Sequence, residues 1–139
     1  MTLLRLFLLL PTIALFAVGC NNTAKDDVAQ NPTAEDADSM ALNCYRMQMN
    51  GQFDEFVANI HSCDGTPHDY KQRYIYMLRQ HQKQIIKEKG GITDIEVIRT
   101  EMHHNNCMAN VFLKIGYKDG SYEEIIYPMI FNKNHWRMQ

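Results

Sequence analysis

Few residues in this chain could do chemistry, and they are scattered. His81 is the only histidine on the expected buried stripe of a long third helix, and an imidazole with an ordinary pKa of about 6.5 suits proton transfer. No acidic residue shares its helical stripe to orient it, which favours a packed or rim histidine over a catalytic one. His103, His104 and Cys107 invite a metal reading. Adjacent strand residues point to opposite faces, and no fourth ligand is evident, so no metal site is expected. Asp119-Gly120 and Glu123-Glu124 lack the spacing of a calcium loop. Cys44, Cys63 and Cys107 show no Cys-x-x-Cys redox spacing. Three thiols allow at most one bridge between them. Cys44–Cys63 closes the shortest loop and is the expected pair, with Cys63–Cys107 its rival and three free thiols the remaining choice.

The elements that would position these groups read in order along the chain. Thr33-Ala34-Glu35-Asp36 has the form of a capping box and starts a first helix. Ala37, Met40, Ala41, Cys44 and Met47 or Gln48 follow at helical spacing, and Asn50-Gly51 stops it. Phe53, Phe56, Val57 and Ile60 mark one face of a short second helix. Thr66, Pro67 and Asp69 open a third helix, with Thr66 as its cap. That helix spans residues 67–89, about 34 Å at 1.5 Å per residue, and Gly90-Gly91 ends it. Its expected buried stripe is Tyr70, Tyr74, Met77, Leu78, His81 and Ile85.

Four strands complete the domain. Ile95, Val97 and Ile98 belong to the first, and His103 to Asn106 turn the chain. Ala109, Val111, Leu113, Ile115 and Tyr117 alternate with more polar residues, the period of a half-buried strand. Asp119-Gly120 suggests a type I′ hairpin turn, and residues 122–131 run back. Pro128 predicts an edge position or a bulge in that strand. A short strand around Trp136 closes the chain. Short consecutive turns imply an antiparallel meander. Helices followed by sequential strands give an α+β layout, three N-terminal helices on one face of a curved four-stranded sheet.

The chain has 139 residues, 45% apolar and 22% charged, which suits one domain. Residues 1–19 read as a secretory signal: Arg5, then a thirteen-residue apolar run too short to span a bilayer comfortably. Residues 20–32 read as an acidic, solvated tether, and residues 33–139 as the folded domain. Beyond residue 40 the 12 basic and 11 acidic side chains nearly balance, since Arg5 and Lys25 are the only basic residues before it. No nucleic-acid partner is expected from that balance.

Ala17-Val18-Gly19-Cys20 resembles the lipobox of bacterial lipoproteins, with Ala17 where leucine is usual. The resemblance implies cleavage before Cys20 and acylation of that residue. Each buried methylene then adds about 0.8 kcal/mol of membrane attachment. The implied location is the cell envelope, on the periplasmic or the surface-exposed side of the outer membrane. Lys25-Asp26-Asp27 resembles the acid-rich export signals of some surface lipoproteins.

Across residues 33–139 the chain resembles an uncharacterised family of small bacterial lipoproteins described as lumazine-binding-like. The resemblance rests on Met49-Asn50-Gly51-Gln52-Phe53, Gly90-Gly91-Ile92, Glu96-Val97 and Ala109-Asn110-Val111, then Tyr117-Lys118-Asp119-Gly120-Ser121, Glu123-Glu124 and His135-Trp136-Arg137-Met138. It implies the cystatin-like cone of the nuclear-transport-factor superfamily, and no established activity. A cone of this type can leave an apolar pocket. Its expected lining from the third helix is Tyr70, Tyr74, Met77 and His81. From the sheet come Val111, Leu113, Tyr127, Met129 and Trp136. The expected function is a non-catalytic module binding a small molecule or a protein, without a cofactor. The alternatives are a small isomerase- or hydrolase-like enzyme using His81 beside a carboxylate at the pocket floor, and a module that dimerises through Phe112, Ile126 and Ile130 on the outer sheet face.

Overall fold

The computed structural model describes residues 31–139. The signal, Cys20 and most of the tether therefore lie outside the described residues. Helix α1 spans Ala34–Met49, capped as its box predicts: the Asp36 amide donates to Thr33 Oγ1 at 3.2 Å, and the Thr33 hydroxyl donates back to the Asp36 carboxylate at 2.7 Å. Gly51, at φ 73°, turns the chain into α2 (Phe53–Ala58). A 3-10 turn, His61–Cys63, leads to α3 (His68–Lys89). Four strands follow, β1 (Ile92–His103), β2 (Met108–Tyr117), β3 (Tyr122–Asn132) and β4 (His135–Met138), in the order β1-β2-β3-β4. All neighbours pair antiparallel. This is the expected α+β meander.

The sheet's inner face is set by parity. Val111, Leu113, Ile115 and Met129 are fully buried, and Ala109, Tyr117, Tyr127 and Trp136 nearly so. The helix that closes over them is α1, whose Ala37, Ala41 and Cys44 are fully buried. Small side chains let its backbone approach the strands closely. Helix α3 is more peripheral than its length suggests. Ile75 is its one buried residue, and Tyr74, Leu78, Gln82 and Ile85 are half-buried. The expected stripe is thus corrected by a rotation: Tyr70 (48% exposed) and Met77 (64% exposed) face water, and His81 is exposed. Ile75 and Gln82 take their place on the inner side.

Three local expectations are corrected as well. Thr66 does not cap α3; its hydroxyl donates to the Cys63 carbonyl at 2.8 Å, and Pro67 occupies the cap position. The β2–β3 turn is not type I′, because only Gly120 takes a positive φ there (87°). Its amide donates to the Tyr117 carbonyl at 3.0 Å, and the Tyr117 amide to Ser121 at 2.9 Å, so the loop is a tight turn closed by a left-handed glycine. The type I′ signature, two consecutive positive φ angles, sits instead at Lys133 and Asn134 between β3 and β4. Pro128 lies in an inner strand whose pairing with β2 has no register shift. It is tolerated because its missing N–H points away from β2, toward the end of the β4 ladder, where the Gln139 amide donates to the Pro128 carbonyl at 2.9 Å. The register shifts fall in β1, between Ile92 and Asp94 and between Val97 and Arg99.

The expected Cys44–Cys63 bridge is not formed; Cys44, Cys63 and Cys107 are all free. The two buried thiols have different surroundings. Cys44 lies near Tyr127 under the sheet, and burial pushes its thiol up to about 11. Cys63 neighbours Lys71, Asp64 and Arg137.

Candidate functional site

A cavity of about 220 Å³ opens where α3 stands away from the inner sheet face. Its walls follow from the elements above. The last turns of α1 supply Tyr45, Gln48 and Met49, and α2 supplies Phe53 and Phe56. Tyr74, Leu78, His81, Gln82 and Ile85 come from α3. Ile92 of β1, then Glu123, Ile125 and Tyr127 of β3, and Met138 of β4 complete it.

Hydrogen bonds brace the polar side of this lining. Gln82 Nε2 donates to the carbonyls of Gln48 (3.2 Å) and Met49 (2.7 Å) at the C-terminus of α1, the first of which also accepts from the Gly51 amide at 3.1 Å. This bond ties α3 to α1. Gln48 Nε2 in turn donates to the Tyr127 hydroxyl. Since that oxygen accepts, its own proton remains free to donate. Tyr45 packs edge-on to Tyr127, with ring centroids 5.9 Å apart.

Burial keeps these phenols neutral. It pushes Tyr45 up to about 12, with the Glu123 charge adding to the effect. Tyr127 is raised further, again chiefly by burial, and Tyr74 is raised too. The cavity therefore presents O–H donors set in apolar walls. Its one carboxylate, Glu123, is already engaged: the Tyr117 hydroxyl donates to it, and Lys89 Nζ lies 3.7 Å from its second oxygen. Lys89 also sits 3.9 Å over the Tyr117 ring. No carboxylate among the described residues comes within ion-pair distance of His81.

Of the nine pocket residues named from the sequence, Tyr74, His81 and Tyr127 line this cavity. Val111, Leu113 and Met129 are sealed in the core, and Tyr70 and Met77 face solvent. Trp136 is buried at a different cleft, against Phe131. Tyr45, Gln48, Gln82 and Glu123 line the cavity as well and were not among the expected pocket residues. Tyr45 follows Ala41 at i+4, a helical signal that was available; Gln82 interrupts the apolar pattern and gave none. His103, His104 and Cys107 sit exposed around the β1–β2 hairpin, where His104, Asn105 and Asn106 all have positive φ. No group of three or more His, Cys, Asp or Glu side chains among the described residues could hold a metal ion.

Helices that precede a four-stranded antiparallel sheet and cover one face of it match a solved structure. The chain superposes on a crystal structure from Campylobacter jejuni described as an NTF2-like transpeptidase. The TM-score is 0.60 at 10% identity, over 72% of this chain and 94% of that one. The fold is NTF2-like. At that identity the likeness carries the cone architecture and no residue roles. No protein-family model matches the sequence, and no curated protein is significantly similar to it.

Proposed function

We propose that the protein is a non-catalytic small-ligand-binding module, tethered in the cell envelope through an acylated Cys20. One observation carries the binding reading. Phenols from α1, α3 and β3 converge on a largely apolar cavity, with no cysteine, serine, threonine or lysine and no free carboxylate among its lining residues. Such a site fits a small, neutral, planar molecule whose acceptor atoms meet the phenolic donors. The sequence resemblance to lumazine-binding-like lipoproteins supports the envelope location.

The transpeptidase description of the Campylobacter neighbour suggests an enzyme instead. Acyl transfer needs an activated nucleophile, and the cavity lining contains no cysteine, serine, threonine or lysine. His81 has no carboxylate to orient it, which also weighs against the acid–base alternative.

Titration with lumazine, followed by tyrosine fluorescence, tests the binding reading. Saturable binding is expected, at least about ten-fold tighter than for naphthalene, which offers no acceptor. Leu78→Trp, which fills the cavity, should abolish it. Equal affinity for the two probes, or binding undiminished in Leu78→Trp, refutes this reading.

The outer sheet face supports a second reading, a homodimer. Ile98, Tyr122 and Ile126 are 41%, 63% and 55% exposed. Phe112 beside them is half-covered by Arg99, whose guanidinium lies 3.5 Å over its ring. Sedimentation should then show a dimer that Ile126→Glu converts to monomer; a monomeric parent protein rules this reading out.

A further inference from the structure

Helix α3 carries six of the twelve basic residues found beyond residue 40 and two of the eleven acids, Asp69 and Glu88. The other elements together hold more acids than bases, so the positive charge of the domain is concentrated on one helix. It is concentrated further within that helix. Arg79, Lys83 and Lys87 stand four residues apart in an unbroken exposed row. None of the three has a carboxylate within ion-pair distance among the described residues. Both acids of the helix are engaged elsewhere: Arg73 Nη2 lies 3.1 Å from Asp69, and Gln84 Nε2 donates to Glu88 at 2.9 Å. Like charges at this spacing repel, and an anionic partner relieves that repulsion.

Apolar groups share this side of the helix. Tyr76, three residues before Arg79 and so beside the row, is 63% exposed, and Met77 next to it is 64% exposed. The opposite side of α3 carries Ile75 and the cavity wall, so the row and its tyrosine point away from the sheet.

These features select the occupant. A second copy docked through the same face would set one cationic row against another. A small free anion would use the cations and leave Tyr76 and Met77 in water. A bilayer containing anionic phospholipid uses both: headgroup phosphates meet the ammonium and guanidinium groups, and the tyrosine ring enters at headgroup depth. We propose that the outer face of α3 docks on an anionic phospholipid surface. The envelope reading above supplies only the nearness of that surface. Residues 20–32 reach at most about 45 Å, well beyond the roughly 24 Å length of α1, so a tether at Cys20 does not hold α3 off the bilayer.

Trp136 is the only tryptophan in the chain and is 3% exposed, so Tyr76→Trp adds the one indole that a lipid can reach. The full-length variant is mixed with vesicles of phosphatidylcholine and phosphatidylglycerol in equal parts, whose brominated acyl chains quench indole emission on contact. Emission should fall about two-fold at low ionic strength and recover in high salt. Brominated phosphatidylcholine alone should quench far less. Lys83→Gln combined with Lys87→Gln, at exposed positions where glutamine keeps the helix, should restore most of the lost emission. Ile126→Trp in place of Tyr76→Trp, on the outer sheet face and so on the far side of the molecule, should stay bright in every vesicle. Flotation with phosphatidylcholine vesicles reads the acyl anchor separately, so a missing anchor and a missing α3 contact are distinct results. Unquenched emission from residue 76 in the anionic vesicles overturns the proposal, as it would if the row served an acidic protein instead. So does equal quenching by the two lipid mixtures, equal quenching at positions 76 and 126, or quenching that survives the double lysine substitution.

Discussion

The two halves of α1 meet the sheet in opposite ways. Up to Cys44 the helix presents Ala37, Ala41 and Cys44, and these share a sealed core with Val111, Leu113 and Met129. From Tyr45 onward it presents Tyr45, Gln48 and Met49, and a cavity appears. Helix and sheet continue through both regions; the side chains differ. Alanines permit close packing, whereas long side chains with polar tips hold helix and sheet apart and need hydrogen-bond partners of their own. Gln82 and Tyr127 meet that need with Gln48, fixing the walls without filling the space.

The largest expected effect comes from making one truncation in both regions. Leu113→Ala, in the sealed half, should cost about 2–5 kcal/mol, since the buried methyl groups are lost and a void replaces them. Leu78→Ala, on the cavity wall, should cost only about 1 kcal/mol. That side chain is half-exposed, and its deletion merely enlarges space already open. Urea unfolding of both variants measures the difference. Equal losses would mean that the cavity closes up in solution.

The same contrast explains what could be read along the chain. The sealed half was legible because its signal is local: parity along Ala109 to Tyr117, and helical spacing from Ala37 to Cys44. Thr33 was legible as a cap because capping concerns neighbours only. The cavity was not legible, since its contacts are remote; Gln48 and Tyr127 stand 79 residues apart. Helix α3 carries apolar residues on two overlapping stripes, one through Tyr70, Met77 and His81 and one through Ile75, Leu78 and Ile85. Periodicity alone could not choose between them. The second stripe faces inward, with Ile75 buried and Gln82 bonded to the end of α1. A polar residue on an apolar stripe reads as noise until its partner is known.

The smallest expected effect tests how the cavity's edge is held. Strand β4 has four residues, and Met138 both walls the cavity and donates its amide to the Asn59 carbonyl at 3.1 Å. Arg137 staples this strand to the segment after α2: Nη2 reaches Asp64 Oδ1 at 2.7 Å and the carbonyls of Ala58 and Ile60 at 3.1 and 3.2 Å. The Arg137 guanidinium holds the Asp64 carboxyl down to about 2, from 3.8. Between those values the unfolded chain binds more protons than the folded one, so stability rises with pH there. The contribution of the pair is complete above pH 3.8 and disappears as pH falls through about 2. Asp64 is solvent-exposed, so Asp64→Asn should lower the urea midpoint only slightly at neutral pH. That small difference should vanish near pH 2. Hydrogen exchange should speed up at the Met138 amide in the variant and stay unchanged at Leu113. Faster exchange at both amides would show that the staple supports the whole sheet, and that the open and sealed regions are energetically one.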